Sequence, residues 1–476
     1  MKEISSSSMI KLTDSIGQIS ISKNVFYGPF THRSITNFNV SDQTVNLSII
    51  HAYILVKKCA ANINFSLGYL CKKKAEAITS ACDDILDGRY DNEFVVNKYQ
   101  GGAGTSTNMN VNEVIANIAL EKMGYAKHTY SHCHPINDIN RHQSTNDTYP
   151  TAVKIAIIRK IRALADSLSE LQSAFQQKES KYGNVLKLGR TQLMDGVPIL
   201  AGQMFGAYAD VISRDRWRIY KSEERLRYVN IGGTAIGTGI NAPLEYSFKI
   251  IDLLQKETNL GLARADNLID NTQNLDAFTE VSGLISVAAT NITKICNDLR
   301  LLSSGPNSGI GEISLEKRQD GSTIMPGKTN PVIMENTIQC CQRVVSNNLY
   351  IHQLTALGNL ELNAFLPSIA ETMIESLDLL TNSINLLKTF GIDSLTVNKE
   401  ICLENLEKSH SLITPLIAVI GYDKTSQLVK ETQNKNTTIK HVLYQSGILP
   451  KEEIDQLLDP HNLTHAPRKG VKNVIK

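Results

Sequence analysis

Three stretches of the chain repeat apolar residues at spacings of three and four. The first is Ile157, Ile161, Leu164, Leu168, Leu171 and Phe175; the second is Ile285, Ala288, Ile292, Ile295, Leu299 and Leu302. The third is Ile369, Met373, Leu377, Leu380, Ile384 and Leu387. That period places each set on one face of an α-helix, with polar residues opposite. Weaker patterns of the same kind cover about 199–229 and 333–356. Long helices with apolar seams bury them best against one another, so the pattern predicts a helical bundle, and seams this long also suit subunit contacts. Pro367, at the start of the third seam, predicts a kink. From Val45 to Leu86 the spacing is again helical, until Asp87-Gly88-Arg89-Tyr90 breaks it. Ile19, Ile21 and Val25 alternate over a short span, as in one brief strand. After about residue 398 the predicted helices shorten.

Four polar stretches interrupt these helices: 101–110, 143–147 (QSTND), 189–195 (GRTQLMD) and 321–332 (GSTIMPGKTNPV). Each is irregular, rich in small hydroxyls, amides or glycine, and adjoins a helical segment, where free backbone N–H groups favour anions. Any one of them alone reads as helix capping. Four together can surround a small dicarboxylate with neutral donors and one ammonium. Residues 131–150 are likewise irregular and polar. The fourth stretch lies in a long irregular connection, Ser303 to Pro331, of the kind that is functional or disordered. Gly327-Lys328-Thr329 suggests the end of a phosphate-binding P-loop, but the first glycine of that motif is replaced by Ser322. Pro326 and Pro331 bracket the lysine, and no β-branched strand leads in, so the P-loop is rejected.

With 476 residues the chain can hold two or three domains and a large core. A formal net charge of +2 gives no general attraction to nucleic acid or membrane, and no apolar run is long enough for a membrane span. The N-terminus lacks the apolar stretch of a secretory signal, and the 8 cysteines form no CxxC pair. A reduced, cytoplasmic protein is expected. His132-Cys133-His134 lacks a second ligand pair nearby, so no metal is expected there. Gly232 to Gly239 lacks the strand and downstream acid of a dinucleotide site and reads as a turn or close packing. His410 is expected to be structural, and the basic tail 468–476 a solvated end.

The four polar stretches in this order resemble the aspartase/fumarase superfamily, over nearly the whole chain from about Tyr27 to Asn462. The fourth is similar to the motif GSSxMPxKxNP, with Thr323 in place of its second Ser. GGAGTSTNMNVNE, QSTND, KLGRTQLMDGVP, GTAIGTG and KICNDLRLLSSGP resemble the aspartase branch, and Gln192 stands where the fumarase branch has a His that takes part in acid–base chemistry. Two features depart from it: the segment 358–365 leans towards fumarase, and His32 replaces the usual Leu before Arg33. The resemblance implies a mainly all-α, three-domain subunit, divided here at 1–148, 149–398 and 399–476, with a central long-helix bundle. It also implies a homotetramer with active sites shared between chains. The activity implied is the reversible anti-elimination of ammonia from L-aspartate to give fumarate, with no cofactor. Fumarase, or a lyase acting on a substituted aspartate, is the alternative, and a catalytically silent scaffold protein a third possibility that intact Ser322, Lys328 and Asn330 oppose. By resemblance Ser322, on a mobile loop, is the general base. Thr105, Ser106, Ser144, Thr145 and the backbone near Thr323 would stabilise the reacting carboxylate. Lys328 and Asn330, with Thr191 and Gln192 beside them, would hold the α-carboxylate, and Thr145 with Asn146 the amine.

Overall fold

The computed structural model describes residues 9–409, 411–414, 416–435, 437 and 439–465; His410 and the basic tail lie outside them. The described chain is mainly helical. In order it runs β1 (Met9–Thr13), β2 (Gln18–Ser22), α1 (Pro29–Asn37), α2 (Leu47–Ser66), α3 (Lys72–Leu86), α4 (Thr105–Lys122) and α5 (Thr145–Lys181). There follow β3 (Leu186–Thr191), β4 (Met194–Leu200), α6 (Ala201–Leu226), β5 (Tyr228–Val229), α7 (Leu244–Thr258), β6 (Ala263–Arg264), α8 (Leu268–Gln273) and α9 (Asp276–Leu302). Then come β7 (Ile313–Ser314), α10 (Val332–Thr355), α11 (Leu366–Leu386), β8 (Thr396–Val397), α12 (Lys399–Lys408) and the short α13 (Leu416–Ile420), α14 (Tyr422–Lys435), α15 (Ile439–Ser446) and α16 (Lys451–Leu457). Among the described residues every sheet has two strands, paired β1–β2, β3–β4, β5–β6 and β7–β8. None of the described helices is long and apolar enough to cross a membrane.

The chain forms two compact units, the first built from 1–165, 217–289 and 343–381, the second from 166–216, 290–342 and 382–476. Their boundaries fall inside α5, α6, α9, α10 and α11, so each long helix contributes to both. All three apolar seams expected from the sequence are buried.

Within the first unit, polar contacts connect the five long helices in a closed ring. Arg162 of α5 pairs with Glu223 of α6 at 2.8 Å, Arg225 of α6 with Glu280 of α9 at 2.9 Å, and Thr279 of α9 bonds Thr355 of α10 at 3.0 Å. Asn347 of α10 bonds Glu375 of α11 at 3.0 Å, and Lys160 returns to Asp378 of α11 at 2.5 Å. Helices α2, α3 and α4 pack together in the same unit, and α4 is buried from Ser106 to Leu120.

Two expectations about proline and helix starts are corrected here. Residues 145–150, expected to be irregular, are the first turns of α5, and Pro150 lies inside that helix. A proline there deprives the carbonyl four residues back of its helical donor. That carbonyl belongs to Asn146, and Asn230 Nδ2 supplies the missing hydrogen bond at 2.9 Å. Pro367 produces no kink of the third seam, because α11 begins at Leu366 and the proline occupies its first turn, where the absent N–H costs nothing.

In the second unit the ring of Phe175 on α5 meets Tyr208 of α6, 5.6 Å between centroids. Tyr208 donates to Asp298 of α9 at 2.8 Å, and Gln342 of α10 to Thr293 of α9 at 3.4 Å. The short C-terminal helices close over a core of their own that includes Leu416, Leu428, Leu443 and Ile454. The stretch 189–195, expected to be an irregular loop, is instead the tip of the antiparallel β3–β4 hairpin. Likewise the single brief strand expected near Ile19 is β2, paired with β1.

Candidate active site

The first unit brings two of the four polar stretches together. Gly104, at φ 93°, precedes α4, and a Cβ there would stand 2.7 Å from the ring of Tyr149 in α5. Only glycine allows both that left-handed backbone and the close approach. The contact seats the first turn of α4, which carries Thr105 and Ser106, against the first turns of α5, which carry Thr145 and Asn146. Asn108 completes the junction by donating Nδ2 to Thr145 Oγ1 at 2.9 Å. Two helix N-termini, each a positive dipole end, thus lie side by side, with Thr107 N capped by Gln100 Oε1 at 3.1 Å and Asn146 N by Ser144 Oγ at 3.2 Å. Ser106 and Thr145 are buried, whereas Thr105 donates to Gly102 O at 2.8 Å.

A buried carboxylate holds the Ser144–Asn146 turn. Asp147 accepts from Ser144 N at 2.9 Å through Oδ1, and from Gly232 N at 3.1 Å and Thr234 N at 3.0 Å through Oδ2. Burial raises its carboxyl to about 6, against the pull of those three amides. Asn146 Nδ2 donates to Ala235 O at 2.7 Å, a second tie to the same glycine-rich loop. That loop is a site of close packing, as expected: Gly237, at φ 93°, lies where a Cβ would strike the backbone of Ile269.

The other two stretches belong to the second unit. The hairpin turns at Gln192 (φ 54°) and Leu193 (φ 65°), two left-handed residues in succession, as a tight two-residue turn requires. Thr191, paired with Met194, and Gln192 are both exposed there. The hairpin base is held by a buried ionic cluster in which Glu312 meets Arg190 at 2.8 Å and Lys187 at 3.2 Å. Asn405 of α12 donates to the same carboxylate at 3.3 Å. Removing one partner from such a cluster typically costs about 3–5 kcal/mol.

The 321–330 loop closes on itself. Gly321 N donates to Lys328 O at 2.7 Å, and Asn330 Nδ2 to Gly321 O at 3.0 Å. Inside this ring Ser322 Oγ accepts from the amides of Ile324 at 3.2 Å and Met325 at 3.1 Å. Two N–H dipoles aimed at one hydroxyl oxygen stabilise negative charge on it. Thr323 and Lys328 are exposed, and Ser322 and Asn330 half-buried. Among the described residues no hydrogen bond or ion pair joins this loop to the hairpin tip.

Thr105, Ser106, Ser144, Thr145 and Asn146 therefore lie in the first unit, and Thr191, Gln192, Ser322, Thr323, Lys328 and Asn330 in the second. The supporting residues Asn108, Asp147, Asn230 and Glu312 were not singled out from the sequence. Asn108 and Asp147 carried a signal, since they lie in the 101–110 and QSTND stretches. The histidine cluster is occupied by local contacts. His134 Nδ1 accepts from Ile136 N at 3.0 Å and Asn137 N at 3.2 Å, and His132 stacks on Tyr125. Burial pushes the Cys133 thiol up to about 12.

Long helices bearing loops of hydroxyls and amides, one of them with an ammonium, offer the groups that grip a small dicarboxylate. A family described as "Lyase" matches residues 17–346, and one described as "Fumarase C C-terminus" matches 412–465. The chain belongs to the aspartase/fumarase superfamily. A relative from Helicobacter pylori named aspartate ammonia-lyase is 43% identical over 460 residues, 96% of this chain and 98% of its own. A solved fumarate lyase:delta crystallin from Brucella melitensis, bound to cobalt, superposes with a TM-score of 0.93 at 40% identity, covering 96% of this chain and 100% of that one. A class II fumarase from Schistosoma mansoni does so at 0.93 and 31%, covering 96% and 99%.

Proposed function

We propose that this chain is an aspartate ammonia-lyase, which converts L-aspartate reversibly to fumarate and ammonia. The observation that carries this reading is the relationship over 96% of the chain, at 43% identity, to a relative of that name. Gln192 at the hairpin tip supports it against hydration, since the fumarase branch resembled above carries an acid–base His there. In the reaction a base removes a proton from the carbon beside the β-carboxylate. The electron pair first gathers on that carboxylate, then forms the double bond as the C–N bond breaks and ammonia leaves on the opposite face. Ser322 takes the proton; the two amides that meet its oxygen favour the alkoxide that must do so. Thr105, Ser106, Ser144 and Thr145 and the backbone at Thr323 stabilise the doubly charged carboxylate, next to the paired N-termini of α4 and α5. Lys328 and Asn330 hold the α-carboxylate with Thr191 and Gln192, while Thr145 and Asn146 receive the amine. The 321–330 loop, punctuated by Gly and Pro, closes over substrate and excludes water.

The same reading places the enzyme in the cytoplasm as a homotetramer with active sites shared between chains. It divides the chain into three domains at 1–148, 149–398 and 399–476. Incubating the protein with fumarate plus ammonia, and with fumarate in water alone, tests the reaction. Loss of fumarate absorbance is expected only with ammonia, with L-aspartate as product. Loss without ammonia identifies a fumarase and overturns the assignment; a substituted amine that replaces ammonia with higher kcat/KM identifies the other lyase.

A further inference from the structure

Lys57 takes part in no step of the reaction above, yet it heads a hydrogen-bonded chain that ends on Thr145. It lies on α2 with 1% of its surface exposed, and its Nζ donates to two neutral amide oxygens, Asn140 Oδ1 and Gln143 Oε1, each at 2.9 Å. Asn140 Oδ1 also receives Asn108 Nδ2 at 3.1 Å and Asn112 Nδ2 at 3.2 Å. Asn108 Nδ2 goes on to Thr145 Oγ1 at 2.9 Å.

The direction of every bond in this chain follows from two groups that cannot reverse at Asn140: the Lys57 N–H groups, and the Gln143 carbonyl that accepts Asn140 Nδ2 at 3.1 Å. Burial presses the Lys57 amine down to about 7, and in either protonation state it has N–H groups for both amide oxygens, so Asn140 turns its oxygen, and not its NH2, towards Lys57. Asn108 faces that same oxygen and must offer its NH2, since the flipped amide would set oxygen against oxygen. The same NH2 then donates to Thr145. With Oγ1 already accepting, the Thr145 proton is left for an acceptor beyond the chain. The network keeps this sense although it leaves Asn108 Oδ1 and Asn112 Oδ1 buried without partners. Buried polar atoms are rarely left so unless something else fixes the orientation.

We propose that Lys57 is a positioning residue whose N–H groups, together with the Gln143 carbonyl, hold the hydrogen-bond direction of the Asn140–Asn108–Thr145 chain and so commit the Thr145 hydroxyl to donate to substrate. This rests on Thr145 touching substrate, as read above. A purely structural lysine would support the same side chains without regard to what Thr145 does.

A double-mutant cycle on kcat/KM for L-aspartate separates the two, using Lys57→Met, Thr145→Val and the double variant. Methionine fills a similar volume and carries no donor. Each single variant is expected to lose about 10- to 100-fold, the worth of one hydrogen bond to a charged group. The double variant is expected to be no worse than Thr145→Val alone. Losses that multiply in the double variant overturn the proposal and leave Thr145 in the site. Unchanged kcat/KM in Thr145→Val overturns both the proposal and the role of Thr145. If Lys57→Met does not fold, Asn108→Leu breaks the chain one link nearer the hydroxyl, and the same comparison with Thr145→Val decides.

Discussion

A serine hydroxyl becomes a base only where its surroundings stabilise the alkoxide. Ser322 has such surroundings in the two amides that meet its oxygen within a loop closed by Gly321, Lys328 and Asn330. Removing the oxygen leaves those backbone bonds without an acceptor but touches no core residue. Ser322→Ala is therefore expected to lower kcat by about 10²–10⁴-fold. Its melting temperature and its affinity for a dicarboxylate inhibitor are expected to stay close to the wild type. A variant that keeps more than about a tenth of wild-type turnover removes Ser322 from the role of base. The types of residue needed here could be read from the sequence, because hydroxyls, an amide and an ammonium crowd a stretch that cannot be helical. Their supports could not be read as such, although Asn108 and Asp147 fall inside two of the polar stretches. Lys57, Asn108 and Asp147 sit within helices, and their partners lie up to 87 positions away in the chain.

The long helices were legible because apolar residues recur at helical spacing over several turns, a signal that one odd residue cannot erase. The β3–β4 hairpin was not, because its turn residues Gln192 and Leu193 carry none of the usual preference for a left-handed backbone. Pro150 misled for a related reason, since the carbonyl it leaves open is closed by Asn230, 84 positions away. The connection after α4 carries a titratable weakness. His128, at φ 67°, donates its amide to Asn117 Oδ1 at 2.7 Å, and its buried Nε2 finds no partner. Burial, aided by the charge of Lys127, presses its imidazole down to about 4. In the unfolded chain it titrates near its ordinary value of about 6.5. Between those values the unfolded chain binds more protons, so stability rises with pH across the window and is lost as pH falls through it. Urea midpoints should therefore drop from about pH 7 to about pH 5, and drop less in His128→Asn, which tolerates the left-handed backbone without titrating. Equal drops in both proteins would assign the pH dependence to other groups.

The proposed substrate contacts are divided between two compact units that α5, α6, α9, α10 and α11 both serve. Even within the second unit, the hairpin tip and the 321–330 loop share no hydrogen bond or ion pair among the described residues. In the proposed shared site, Thr191 and Ser322 reach one substrate from different copies of the chain. The seams are buried inside the single chain, but the long helices also leave apolar side chains such as Tyr220 and Leu349 exposed, and these suit subunit contact. Mixing tests this most directly. Ser322→Ala and Thr191→Val chains, each nearly inactive alone, are denatured mildly together and refolded, and hetero-oligomers are verified before ammonia release from L-aspartate is measured. Recovery of activity well above either parent is the expected result, because some mixed sites carry neither defect. A verified mixture that stays as inactive as its parents would contradict the shared site for these two residues.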